Sequence, residues 1–327
     1  MSIVKRAAAL GVAAAIALAL SGCMKDDGGP VTWRLADAAA PPALPEGLER
    51  NGEGVPVLKV YDAAKGELVD TDAETYVAGV VAGEMKNDWP TEALKAQAVL
   101  ARTFVMKFCA DKKSKYDGAD ISTDVSEAQA YAPESVNARV EQAVSATRGQ
   151  VLVYQGDFIN AWFHAHSGGM TELPSVALDY RGGDPAYLTP TASEESDKAP
   201  ESARRWTATF TADQVRQACA DAGVKVGKVE SVALGERGAS GRAKTLVVNG
   251  ESVSAPSFRI QIGANRLRST LIDSVQLKDG RVTFTGRGFG HGVGLSQWGA
   301  YRLAEEGRRA GEILMKYFTG VELAQMW

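Results

Sequence analysis

Cysteine and histidine are scarce in this chain, three of each in 327 residues, and no Cys-x-x-Cys pair occurs. A zinc ribbon is therefore excluded. Neither sign of charge dominates: 36 basic residues face 40 acidic ones. No overall positive field draws the molecule to nucleic acid, which is not expected as a partner. Long apolar runs are also missing. The N-terminal run over residues 7–20, preceded by Lys5-Arg6, falls short of the about 20 residues a spanning helix needs. No internal repeat of fixed period is visible. What is present is 45% hydrophobic content, which supplies the core of one large domain or two closely packed ones.

The N-terminal run ends in Leu20-Ser21-Gly22-Cys23. Charge, apolar run, small residues and cysteine fall in the order of a bacterial lipobox, which this segment resembles. The resemblance implies a lipoprotein signal peptide over residues 1–23 and acyl chains on Cys23. It also implies a protein held to a membrane in the cell envelope, outside the cytoplasm. Residues 24–54, rich in Ala, Pro, Gly and Asp, read as a tether, with folded structure starting near Val55. An oxidising envelope permits a bridge between Cys109 and Cys219, and both also suit buried positions on amphipathic helices.

Residues 57–61 read as a strand, followed by Asp72 as N-cap of a helix running to about Met85. After Pro90, the residues Leu94, Ala98, Ala101, Val105 and Phe108 recur at helical spacing and predict one buried stripe. A polar loop over 111–133 leads to a helix over 136–147, stopped by Gly149. Residues 151–154 and 158–163 read as two strands joined around Gln155-Gly156-Asp157. The polar stretch 189–204 reads as an exposed loop of the kind that often lines a site. A short strand and a helix over 213–222 follow. Residues 229–284 then alternate as a β-rich region, and two helices, near 296–306 and 311–318, close the chain. The expected class is α+β, a mixed α/β catalytic body with a second β-rich lobe (about 206–285) and a cleft between them.

Glu84 follows Val77, Val80 and Val81 on one face of the first helix, so a carboxyl stands where the apolar stripe points. Partial burial and the negative end of the helix dipole both favour its protonated form, which suits a proton donor. Lys95 and Arg102, seven apart on the second helix, share a face beside its stripe and could bind an anionic sugar or steady Glu84; they also suit solvated cations. Phe163-His164-Ala165-His166-Ser167-Gly168-Gly169-Met170-Thr171 sets two histidines on one side of an extended segment. The third lies in Gly286-Arg287-Gly288-Phe289-Gly290-His291-Gly292-Val293-Gly294. That distribution suits hydrogen-bonding histidines in a carbohydrate groove, and equally a His164/His166/His291 metal site, so a metallohydrolase stays open at this point. The glycine spacing is neither that of a dinucleotide-binding loop nor that of a P-loop.

Three stretches together resemble the stage II sporulation protein D (SpoIID/LytB) family. They are Tyr76-Val77-Ala78-Gly79-Val80-Val81-Ala82-Gly83-Glu84-Met85 continuing through Lys95 to Arg102, then residues 163–171, then Gly288 to the Ser296-Gln297-Trp298-Gly299-Ala300 run. The resemblance covers residues 55–323 and implies a peptidoglycan lytic transglycosylase, a glycan lyase. In it Glu84 is general acid/base, while Lys95, Arg102 and His164 lie along the substrate groove. His166, Ser167, Thr171, His291, Ser296 and Gln297, in the same motifs, complete the expected substrate-binding set. Glycan strands already stripped of stem peptides are the implied substrate, with a cell-wall amidase acting upstream. Some members bind zinc in the loop corresponding to residues 112–131; that loop here has no cysteine or histidine, so neither metal nor other cofactor is expected. The alternative within the family is a non-catalytic glycan-binding enhancer of a cell-wall amidase.

Overall fold

The computed structural model describes residues 40–327. The segments read as a signal peptide, an acylated Cys23 and a tether up to residue 39 lie outside the described residues. Ordered pairing starts earlier than Val55. Leu48 is buried, and Glu49–Arg50 (β1) pairs with Pro56–Asp62 (β2). Antiparallel to β2 runs Glu67–Asp72 (β3). Asp72 then turns strand into helix, its carboxylate accepting the Glu74 and Thr75 N–H groups at 3.0 Å. The helix it caps is Ala73–Glu84 (α1).

Pro90 precedes Thr91–Asp111 (α2), where the expected stripe of Leu94, Ala98, Ala101, Val105 and Phe108 is buried. Gln97, Arg102 and Thr103 are buried as well, so α2 is enclosed on most sides and forms the spine of the first core. The polar loop beyond it contains one short strand, Ile121–Ser122 (β4), parallel to β2. Asn137 caps Ala138–Ala146 (α3). The hairpin Gln150–Tyr154 (β5) and Asp157–Phe158 (β6) follows as expected. The strand read over 158–163 does not continue: the chain leaves the hairpin at Ile159 and pairs again only as Phe163–His164 (β7), in another sheet.

A short helix, Pro174–Ala177 (α4), and another, Glu201–Arg204 (α5), bracket the loop that crosses to the second lobe. There Arg205–Thr211 (β8) buries Trp206, Ala208 and Phe210 at period two. Thr211 caps Ala212–Asp221 (α6). Strands Val232–Leu234 (β9), Thr245–Val248 (β10) and Glu251–Ser254 (β11) form one antiparallel sheet. Helix Ala255–Gly263 (α7) interrupts the region read as β-rich over 229–284; Ser254 as N-cap and Pro256 in the first turn decide for helix. Ile272–Lys278 (β12) and Arg281–Arg287 (β13) complete a second antiparallel sheet with β8. A second core of Phe210, Val215, Leu246, Phe258 and Phe284 sits among these elements.

The chain then returns to the first core through Leu295–Ser296 (β14), Gln297–Glu305 (α8), Ala310–Tyr317 (α9) and Glu322–Gln325 (β15). Strand β15 pairs with β5, and β14 runs parallel to β7. The fold is α+β, with residues 206–284 building the β-rich lobe. Cys109 belongs to the first core and Cys219 to the second, and both are free thiols. Among the described residues no helix is long and apolar enough to cross a membrane.

Candidate active site

Glu84 ends α1, one turn beyond the fully buried Val80 and Val81, and its carboxyl is half-buried. Gly83 makes this placement workable. A side chain there would meet the backbone of Ala130 at 2.7–2.8 Å, so only glycine lets that strand of loop lie against the helix end. The close approach aims the Ala130 N–H at Glu84 Oε1, 2.8 Å away. From the other side Gln297, first residue of α8, donates its Nε2 to the Glu84 carbonyl at 3.2 Å. Burial pushes the Glu84 carboxyl above the usual carboxylate range, against the opposing pull of the Ala130 N–H and the Gln297 amide. An open hollow of about 440 Å³ lies here, lined by Glu84, Lys86, Asn87 and Ser135 among others. A hollow of similar size at the opposite end of α1 contains Glu74, but that carboxylate is already committed to Arg102.

The histidine segments meet behind Gln297. In the parallel pairing of β7 with β14, His164 stands opposite Ser296, and the Trp298 N–H donates to the Ala165 carbonyl at 3.0 Å. Gly290, at φ +101°, lies so close to β7 that a Cβ would sit 2.8 Å from that of His164. His164 Nδ1 lies 3.1 Å from the Val293 carbonyl, so it carries the proton and leaves Nε2 as an acceptor. His166 and His291 are the reverse: their Nδ1 atoms accept the Gly168 and Val293 N–H groups, each at 3.0 Å, which puts the proton on Nε2. The Nε2 atoms of His164 and His166 have no hydrogen-bond partner among the described residues. No three His, Cys, Asp or Glu side chains of those residues converge as metal ligands do. The three rings are spent largely on backbone groups.

All three histidines are held neutral. Burial pushes His164 well below its ordinary value, assisted by His291 and the Arg242 guanidinium. Burial takes His291 down to about 3 and also lowers His166, opposed there by Glu195. The sign follows: the unfolded chain binds protons below pH 6.5 that the folded chain refuses, so stability is complete above 6.5 and is lost as pH falls toward 3. Each fully neutral histidine costs about 1.4 kcal/mol per pH unit below 6.5. The melting temperature is therefore expected to drop steadily between pH 6.5 and 4.5 at constant ionic strength. A flat calorimetric profile over that range would contradict the buried neutral rings.

Of the other expected site residues, Ser167 and Ser296 come together on one carboxylate, that of Glu195. Ser296 Oγ donates to it at 2.8–3.0 Å, the Ser167 N–H lies 3.1 Å away, and Ser167 Oγ–H also points to it. Thr171, by contrast, faces no groove. It is buried, and its Oγ accepts the Thr191 N–H at 2.8 Å, pinning the 189–200 segment to the Gly168-Gly169 turn. Lys95 pairs with Glu92 at 2.7 Å, and no bond joins it to Glu84; Glu92 in turn accepts the Ala310 N–H at the start of α9.

Arg102 is a correction. It is completely buried, forking onto Glu74 at 2.6 and 3.0 Å, at the opposite end of α1 from Glu84. A guanidinium with no exposed surface binds no substrate; the face it shares with Lys95 turned inward because α2 is enclosed on more than its main stripe.

Two residues of this region were not singled out from the sequence. Glu195 sat in a polar stretch where Glu194 and Glu195 look alike; only Glu195 is drawn in. Arg242, in the β-rich lobe, is completely buried and donates to the Ser167 carbonyl at 2.7 Å and the Met170 carbonyl at 3.0 Å, carrying the second lobe onto the histidine segment. Its Gly241-Arg242-Ala243 context gave no signal of either burial or partner.

Comparison with known proteins places the chain in a family. The family described as stage II sporulation protein matches residues 61–154, and a domain of unknown function matches residues 187–294. An uncharacterised protein of Brachyspira hyodysenteriae is 32% identical over 262 residues, 78% of this chain and 67% of that one. Stage II sporulation protein D of Bacillus subtilis is 31% identical over 285 residues, 82% of this chain and 79% of the relative. An amidase enhancer of Bacillus subtilis is 28% identical over 290 residues, 75% of this chain but 40% of the relative's length. With β3 through β5 under the family's own match and 82% of the chain aligned at 31% identity to stage II sporulation protein D, this chain belongs to the SpoIID, or stage II sporulation protein, family.

Proposed function

We propose that the chain is a peptidoglycan lytic transglycosylase with Glu84 as its single general acid/base. The observation that carries the reading is the half-buried Glu84 carboxyl, shifted toward its acid form and held by the Ala130 N–H beside an open hollow, while Gln297 holds the backbone carbonyl of the same residue. Hydrolases with two carboxylates flank the bond with an acid and a nucleophile or base, whereas one carboxyl suffices if it acts twice. Glu84 first protonates the leaving glycosidic oxygen, with the substrate's acetamido group assisting at the anomeric carbon. The resulting carboxylate then takes the proton of the sugar's 6-hydroxyl as that oxygen closes a 1,6-anhydro ring. Atoms balance without water. The favoured substrate is peptide-stripped glycan, supplied by an amidase, and the enzyme works in the envelope from a lipid anchor on Cys23.

The test is mass spectrometry of products from purified, peptide-free glycan strands. Anhydro ends are the expected result, and new reducing ends would replace the lyase by a hydrolase. A second reading, a non-catalytic glycan-binding enhancer of an amidase, draws support from the relative named amidase enhancer. Glycan binding without any product, together with faster cleavage by an added amidase, would favour it.

A further inference from the structure

A second carboxylate lies close to the machinery, and its bonds suggest a task different from acid catalysis. Glu195 sits on the 189–200 segment, which is docked rather than free: Ser193 N–H donates to the Gly169 carbonyl at 3.0 Å, Ser193 Oγ meets Tyr317 Oη at 2.7 Å, and Ser196 N–H reaches the Trp298 carbonyl at 3.3 Å. Three donors converge on the Glu195 carboxylate from two distant parts of the chain, the N–H and hydroxyl of Ser167 after β7 and the hydroxyl of Ser296. Bonds to a charged acceptor are shorter and stronger than neutral ones. Ser296 is also the N-cap of α8, its oxygen facing the Gly299 N–H at 3.4 Å and the Ser167 N–H at 3.2 Å. The carboxylate thus lies by the positive end of that helix, where negative charge is favoured. Gln297 follows directly and holds the Glu84 carbonyl.

We infer that Glu195 is a positioning residue: by gripping Ser167 and Ser296 together it fixes the start of α8, and through Gln297 it fixes where the Glu84 carboxyl stands. The role rests on the proposed reaction for its effect on rate, but not for its effect on geometry. Ser167 gives its hydroxyl proton to the carboxylate and not to a histidine, so the cluster is not arranged as a serine nucleophile with its base. Glu195→Gln keeps shape while replacing one acceptor oxygen by an NH2 group that faces donor hydroxyls. The start of α8 then shifts.

Two readouts separate the outcomes. In steady-state cleavage of peptide-free glycan, Glu195→Gln is expected to lower kcat roughly 10- to 100-fold, as small displacements of a reacting group do, with little change in KM. In side-chain 13C NMR of labelled protein, the titration of the Glu84 carboxyl is expected to move in Glu195→Gln relative to the wild type. Ser296→Ala removes the same grip from the helix side and serves if Glu195→Gln folds poorly. The double variant should be no worse than the more impaired single one, because both break one link. An unchanged Glu84 titration in both single variants overturns the inference, even if the enzyme is active. A shifted titration in a protein that makes no glycan product sustains the positioning role and removes the transglycosylase reading instead. A kcat that returns to the wild-type value at low temperature, with only stability lost, also overturns it.

Discussion

Glu84→Gln is expected to abolish production of anhydro ends, by at least about 100-fold in kcat, which is the usual worth of a positioned proton donor. The protein should stay folded. A glutamine carbonyl can still accept the Ala130 N–H that now bonds Oε1 at 2.8 Å, and the Gln297 contact is to the backbone carbonyl. Stability should even rise slightly at neutral pH. Burial raises the carboxyl above its ordinary value, so the wild-type fold is most stable where Glu84 is protonated and loses stability as pH climbs through the raised value. A neutral amide has no such loss. The pH–rate profile of the wild type follows from the same shift. The acid form must be present to protonate the leaving oxygen, so activity falls on the alkaline side, with a limb above the normal carboxylate range. Full cleavage by a folded Glu84→Gln protein would remove the assignment.

The elements that fix Glu84 were legible because each has a local cause. Asp72 caps α1, Val77, Val80 and Val81 orient it, and Pro90 starts α2, all within short spans of chain. The hairpin of β5 and β6 and the capped helix α6 were visible for the same reason. Long-range partners were another matter. Nothing near Ala130 announces that its N–H will bond a carboxyl 46 residues earlier, and the signal that could have shown it, Gly83 one residue before Glu84, reads as ordinary helix until the loop is seen lying on it. The polar stretch 189–204 looked exposed on composition, yet Thr171 and Gly169 hold it down and so deliver Glu195 to Ser167 and Ser296. Lys95 and Arg102, seven apart, were read as sharing one face, yet Lys95 pairs with Glu92 of its own helix and Arg102 with Glu74 of α1. Period alone does not say which side of an enclosed helix meets solvent.

Arg102→Ala should accordingly injure the fold and not the groove. Its Nε and Nη2 fork onto Glu74, its Nη1 donates to the Gln150 carbonyl at 3.0 Å, and Glu74 Oε1 also takes the Gly149 N–H at 3.0 Å and the Trp327 Nε1–H at 2.9 Å. One ion pair therefore ties α1, α2, the start of β5 and the C-terminal residue together. Burying two charges is expensive, and their pairing roughly repays it; removing one partner leaves the other unmatched in a site that is nearly dry. A loss of about 3–5 kcal/mol is expected in urea denaturation, a large fraction of the 5–15 kcal/mol typical of a domain. Arg102→Lys keeps the charge but not the fork and should recover only part of it. Glu74→Gln combined with Arg102→Met removes both charges, and should recover more than either single change. The decisive measurement is activity per folded molecule at low temperature. A buried tie predicts wild-type KM and kcat for the folded fraction of Arg102→Ala, whereas a substrate-binding arginine predicts a raised KM with stability intact.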